Sequence, residues 1–83
     1  MAKGFQDERY RLLIAALVDQ RKKLKLSQEA LSGRLGTHQQ FVSRYETGER
    51  RLDVVEFRDV AAALELGAAE LVATIGPSSP DLP

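Results

Sequence analysis

The sequence predicts an all-α protein, a compact bundle of five helices built from residues 7–75. Three observations predict it. Apolar residues recur at helical spacing, beginning with Tyr10, Leu13, Ile14, Leu17 and Val18 at i, i+3, i+4, i+7 and i+8. Capping residues mark the starts of such segments and glycines mark their ends: Asp7, Ser27 and Asp53 on one side, Gly36 and Gly48 on the other. Residues 28–51, QEALSGRLGTHQQFVSRYETGERR, read as two short helices joined at a glycine, and the remaining segments flank them.

Met1–Phe5 carry no periodic signal, so residues 1–6 are expected to fray. The first helix is expected over about 7–23, with its apolar stripe as core. Leu24-Lys25-Leu26 is a connector. Ser27 before Gln28-Glu29-Ala30 is an N-cap signal for the second helix, 28–35, which sets Leu31 and Leu35 on one face. Gly36 has no Cβ to oppose a left-handed backbone, so it suits the turn. The third helix is expected over about 38–47, with Thr37 or His38 supplying the cap. Val42 and Tyr45 face inward, which collects Gln39, Gln40, Ser43 and Arg44 on the opposite side. Phe41 has two readings, packing beside the core or pressing on a thymine methyl.

Gly48 fits a position past the third helix that demands positive φ. Asp53 and Glu56 have capping-box spacing and open a fourth helix, whose inward stripe is Phe57, Val60, Ala61 and Leu64, ending near Leu66. A fifth helix, Ala68–Ile75, carries Leu71, Val72 and Ile75. It is too short and apolar to stand alone, so its apolar face must meet the core or a second subunit. Residues 76–83 hold all three prolines and are expected to be a disordered tail.

Composition narrows the function. A chain of 83 residues buries only about 60–65% of its unfolded surface, so the core is small. There is no cysteine, hence neither disulfide nor thiolate metal site, and a lone histidine, His38, cannot complete a metal site. No apolar run approaches the roughly 20 residues of a membrane span, and MAKGFQDERYR lacks a signal core. A cytoplasmic protein with no metal, no cofactor, no membrane partner and no small-molecule ligand is expected. An enzyme is disfavoured: no P-loop or G-x-S-x-G motif is present, and the acids fall on helix surfaces and starts.

The net charge is zero, but it is unevenly placed. Residues 1–51 hold eleven Lys/Arg against six Asp/Glu, five positive charges in excess; residues 52–83 hold one Arg against six acids, five negative in excess. The basic half contains the polar face of the third helix. Gln pairs bidentately with adenine and Arg with guanine, so double-stranded DNA is the expected partner. Gln39, Gln40, Ser43 and Arg44 are the candidate base readers. His38, Arg50 and Arg51 flank them as candidate phosphate contacts. Reading two half-sites about 34 Å apart calls for a two-fold homodimer, with Leu71, Val72 and Ile75 as interface candidates. Glu46, one turn on from Val42, is expected to be partly buried and to need a partner.

The segment LSQEALSGRLGTHQQFVSRYETGER resembles the helix-turn-helix of the phage-repressor (Cro-like, XRE) family of transcriptional regulators. Counted from Gln28, Ser32 sits where the two helices touch and Gly36 takes the ninth place. Leu31, Leu35, Val42 and Tyr45 take the inward places. His38 departs from the usual Ser or Thr cap, and Glu49 stands where a basic residue is frequent. The resemblance, over roughly residues 9–73, implies the phage-repressor fold and a bacterial or phage transcriptional regulator, expected here to repress. It implies a phosphate contact for Gln28, and Arg21 as the structural ion-pair partner of Glu46. A protein-interaction module on the same fold, such as an antitoxin or anti-repressor partner, is the alternative.

Overall fold

The computed structural model describes residues 7–75, so the expectations for 1–6 and 76–83 lie outside the described residues. Five helices follow in order: α1 (Glu8–Lys23), α2 (Gln28–Leu35), α3 (Gln40–Thr47), α4 (Val54–Ala63) and α5 (Ala68–Ile75). α2 packs on both α3 and α4, while α1 lies across α3 and α5.

The core draws on every element but α5. Ile14 and Leu17 come from α1, Leu31 from α2, Val42 and Tyr45 from α3, and Phe57, Val60, Ala61 and Leu64 from α4 and its end. Leu52, in the loop before α4, is buried with them. Tyr10, Leu13, Val18, Leu35 and Leu71 pack partly buried at the margin.

The helix starts follow from side-chain chemistry. Asp7 accepts the Arg9 N–H, and Ser27 Oγ accepts the Ala30 N–H at 2.9 Å. Asp53 and Glu56 form the reciprocal capping box, with Glu56 N–H on Asp53 at 2.7 Å and Asp53 N–H on Glu56 at 3.0 Å. α3 differs from expectation. It begins at Gln40, two residues later than the sequence suggests, and Gln39 at its cap position makes no side-chain cap bond. Neither Thr37 nor His38 caps it; instead the His38 carbonyl accepts the Phe41 N–H at 3.0 Å, a tight turn that leads into the helix.

Three helix ends share one device. After α2, Gly36 takes φ 68° and Thr37 N–H returns to the Ser32 carbonyl at 3.1 Å. The same closure ends α1, where Lys25 takes φ 58° and Leu26 N–H reaches the Arg21 carbonyl. It also ends α4, where Glu65 takes φ 65° and Leu66 N–H reaches the Ala61 carbonyl at 2.8 Å. α4 therefore stops at Ala63, short of Leu66. Leu26 and Leu66, just past the left-handed residues, tuck against the core, which offsets the steric cost at Lys25 and Glu65.

Candidate nucleic-acid interface

α3 has an inward and an outward side. Val42 and Tyr45 are fully buried. Gln39, Gln40 and Arg44 are exposed and Ser43 is half-exposed, so the structure brings together the four candidate readers. The close approach of α2 needs a small residue, and Ser32, 1% exposed, fills that place, with its hydroxyl donating to the Gln39 carbonyl at 3.4 Å.

A buried polar knot fixes α3 against α1 and α2. Arg21 Nε donates to Glu46 Oε2 at 2.7 Å and Nη2 to Oε1 at 3.0 Å. Arg21 Nη1 donates to the Leu26 carbonyl at 2.8 Å, and Gln28 Nε2 to Glu46 Oε1 at 2.8 Å. One carboxylate thus ties the end of α1, the start of α2 and the last turn of α3. Its bonds hold the Arg21 guanidinium above its usual pKa, against the opposing pull of burial. Gln28, proposed from the resemblance as a phosphate contact, spends one amide N–H here; an amide has two. Close by, Tyr45 Oη is buried without a hydrogen-bond partner among the described residues. Burial, reinforced by the Glu46 charge, raises its pKa and keeps it protonated.

The remaining candidates are spread along the edge of α3. His38 is exposed before it. Arg50 and Arg51 follow it, in a loop entered through Gly48 at φ 88°. Arg50 N–H donates to the Arg44 carbonyl at 3.1 Å, folding the loop back on α3. The Arg50 side chain is committed to Glu56, at 2.9 and 2.6 Å, which lowers the Glu56 pKa. Its guanidinium lies 5.1 Å over the Phe41 ring, and Phe41, half-buried, meets Tyr45 edge-on at 5.6 Å. Phe41 therefore packs beside the core. Arg51 lies 4.2 Å over the Tyr10 ring.

At the far side, α5 packs through half-buried Ala68 and Leu71. Val72 remains 48% exposed and Ile75 is half-buried, so the three proposed interface residues are only partly used within the fold. A crease of about 560 Å³, open to solvent, runs between α1 and the end of α3, lined by Tyr10, Ile14, Val18, Asp19 and Tyr45. No described helix is long and apolar enough to cross a membrane.

Three contacts escaped the sequence reading: Gln28 on Glu46, Glu56 on Arg50, and Tyr10 against the 48–52 loop. Capping-box spacing made Glu56 visible, though in one role only. Tyr10 stood in an apolar stripe, and its hydroxyl was the one available signal.

A helix-turn-helix family model matches residues 17–71. Among solved structures, one described as an XRE-family like protein from Pseudomonas syringae pv. tomato is 36% identical. The match covers 88% of this chain and 89% of that one, with a TM-score of 0.80. No curated protein matches.

Proposed function

Because the chain belongs to the XRE-type helix-turn-helix family of DNA-binding domains, we propose that it is a sequence-specific regulator of transcription, a repressor that acts by covering its operator. The observation that carries this reading is the outward face of α3, where Gln39, Gln40 and Arg44 stand exposed beside Ser43. In the major groove such a face reads base edges, and each good bidentate contact is worth about 1–3 kcal/mol of discrimination. His38, Arg51 and the second amide N–H of Gln28 hold the phosphates on either side. Arg50 stands at the same edge, its side chain paired with Glu56. The protein works as a homodimer on two half-sites about 34 Å apart, joined through Val72 with Leu71 and Ile75. It acts in the cytoplasm, on the chromosome.

Paired substitutions test the assignment of roles. Arg44→Ala should lower affinity for the preferred sequence by about 1–3 kcal/mol and leave affinity for unrelated duplex nearly unchanged. His38→Ala should weaken both alike. Equal weakening by Arg44→Ala on both DNAs would place sequence reading elsewhere.

A further inference from the structure

Among the described residues, two that are not glycine take a left-handed backbone: Lys25 at φ 58° and Glu65 at φ 65°. Each follows a helix closed in the same way, and glycine would meet less steric opposition in either place. Their side chains differ. The Glu65 carboxylate lies 3.9 Å from Arg34. The Lys25 side chain is exposed and makes no ion pair or hydrogen bond among the described residues. Lys22 and Lys23, just before it, complete the last turn of α1, where cations suit the negative end of the helix. Lys25 lies beyond that turn, so local structure gives no reason for a charged residue in place of glycine.

The loop that carries Lys25 is tied to the reader helix through its next residue. Leu26 N–H reaches the Arg21 carbonyl at 3.0 Å, and the Leu26 carbonyl accepts Arg21 Nη1 at 2.8 Å. Arg21 holds Glu46 in the last turn of α3, and Glu46 takes the Gln28 amide. The Leu26 side chain packs against the core. The backbone at Lys25 is thereby held at a set place relative to α3, three residues before Gln28.

From this geometry we infer that Lys25 is a further DNA phosphate contact, at the edge where α1 ends and α2 begins. The inference rests on the DNA-binding reading above. Lysine brings a point charge on a flexible stem, which meets a phosphate without a fixed fork geometry. Its backbone is already ordered, so binding has only the side chain left to immobilise. The contact carries no base information; it adds affinity and helps to set the register of α3 on the duplex. Lysine rather than glycine at this place gives up some fold stability and gains a cation on the binding edge.

The test uses the full chain and a short duplex of arbitrary sequence, since phosphate contacts ignore sequence. Affinity is followed by fluorescence anisotropy over a range of salt, and Tm by circular dichroism. Lys25→Gly and Lys25→Asn both remove the charge, and both residues tolerate the left-handed backbone. Each should reduce the slope of log K against log salt by about 0.9, and lower affinity about 3- to 10-fold at roughly 0.1 M salt. Lys25→Gly should do so while raising Tm by about 2–4 °C, which separates lost binding from lost folding. Lys25→Arg keeps the charge and should keep the slope. Arg58→Gln removes the same unit of charge from α4 beside α5, and should leave the slope unchanged. An unchanged slope for Lys25→Gly and Lys25→Asn, or an equal reduction for Arg58→Gln, would overturn the inference while leaving the DNA-binding reading intact. A wild-type chain with no salt-dependent affinity for duplex would instead sink that reading, and this inference with it.

Discussion

Replacing Glu46 by alanine removes the acceptor at the centre of the polar knot. Three donors converge on this carboxylate: Arg21 Nε at 2.7 Å, Arg21 Nη2 at 3.0 Å and Gln28 Nε2 at 2.8 Å. Arg21 is 9% exposed, so the substitution strands a guanidinium with the Leu26 carbonyl as its remaining partner in the knot. Breaking a buried pair by removing one partner costs about 3–5 kcal/mol. The lower end applies here, because Glu46 also borders the open crease and water can reach the damage. A domain of this size has a total stability of about 4–12 kcal/mol, so a loss of about 3 kcal/mol is a large share. In urea, followed by circular dichroism, the midpoint should fall by about 2 M. The double variant Arg21→Met/Glu46→Leu should recover most of the loss, because no buried charge is then left unpaired. A cost below about 1 kcal/mol for Glu46→Ala would refute the reasoning, since the pair would then behave as a solvent-screened one. A double variant less stable than the single one would refute it as well.

Two further predictions concern the helix ends. The Asp7 carboxyl is held at about 2, below its ordinary 3.8, first by the Arg9 side chain and then by the Arg9 N–H. A depressed carboxyl contributes stability above its unfolded pKa and loses it as pH falls, here from about 4 to about 2. Asp7→Asn, which can still cap the helix, should flatten that part of the stability–pH curve in thermal melts; an unchanged acid limb would count against the assignment. Glu65 ends α4 with φ 65°, a conformation that strains any side chain. Glu65→Gly should stabilise by about 0.5 kcal/mol, raising Tm by about 2–4 °C, whereas Glu65→Val should destabilise; the reverse order would show that the strain is illusory.

The parts of the fold most legible in the sequence were those written in local chemistry. The stripes at Tyr10–Val18 and Phe57–Leu64, the Ser27 cap and the Asp53–Glu56 box all depend on neighbours within one or two turns. Helix ends were legible where glycine marks them, as at Gly36. At Glu65 the left-handed residue has no compositional signature, because a downstream contact by Leu66 selects it, so the apolar stripe runs on past the end of α4. The start of α3 is hidden for a related reason: His38 stands where a cap is expected, but its backbone makes the turn and its side chain stays in solvent. On the candidate interface, the 3.6-residue period alone sorts Gln39, Gln40 and Arg44 from Val42 and Tyr45. Contacts that span the chain, such as Tyr10 with Leu52 or Gln28 with Glu46, leave no periodic trace. They exist only once five helices have been brought together.

Selecting bound duplexes from a random-sequence pool with the purified chain tests the central claim most directly. The account predicts enrichment of two related half-sites about one helical turn apart, and loss of preference at one position of each half-site when Arg44 is replaced by alanine. A pool that stays random through successive rounds, even at low salt, would contradict it and favour a protein partner for this fold.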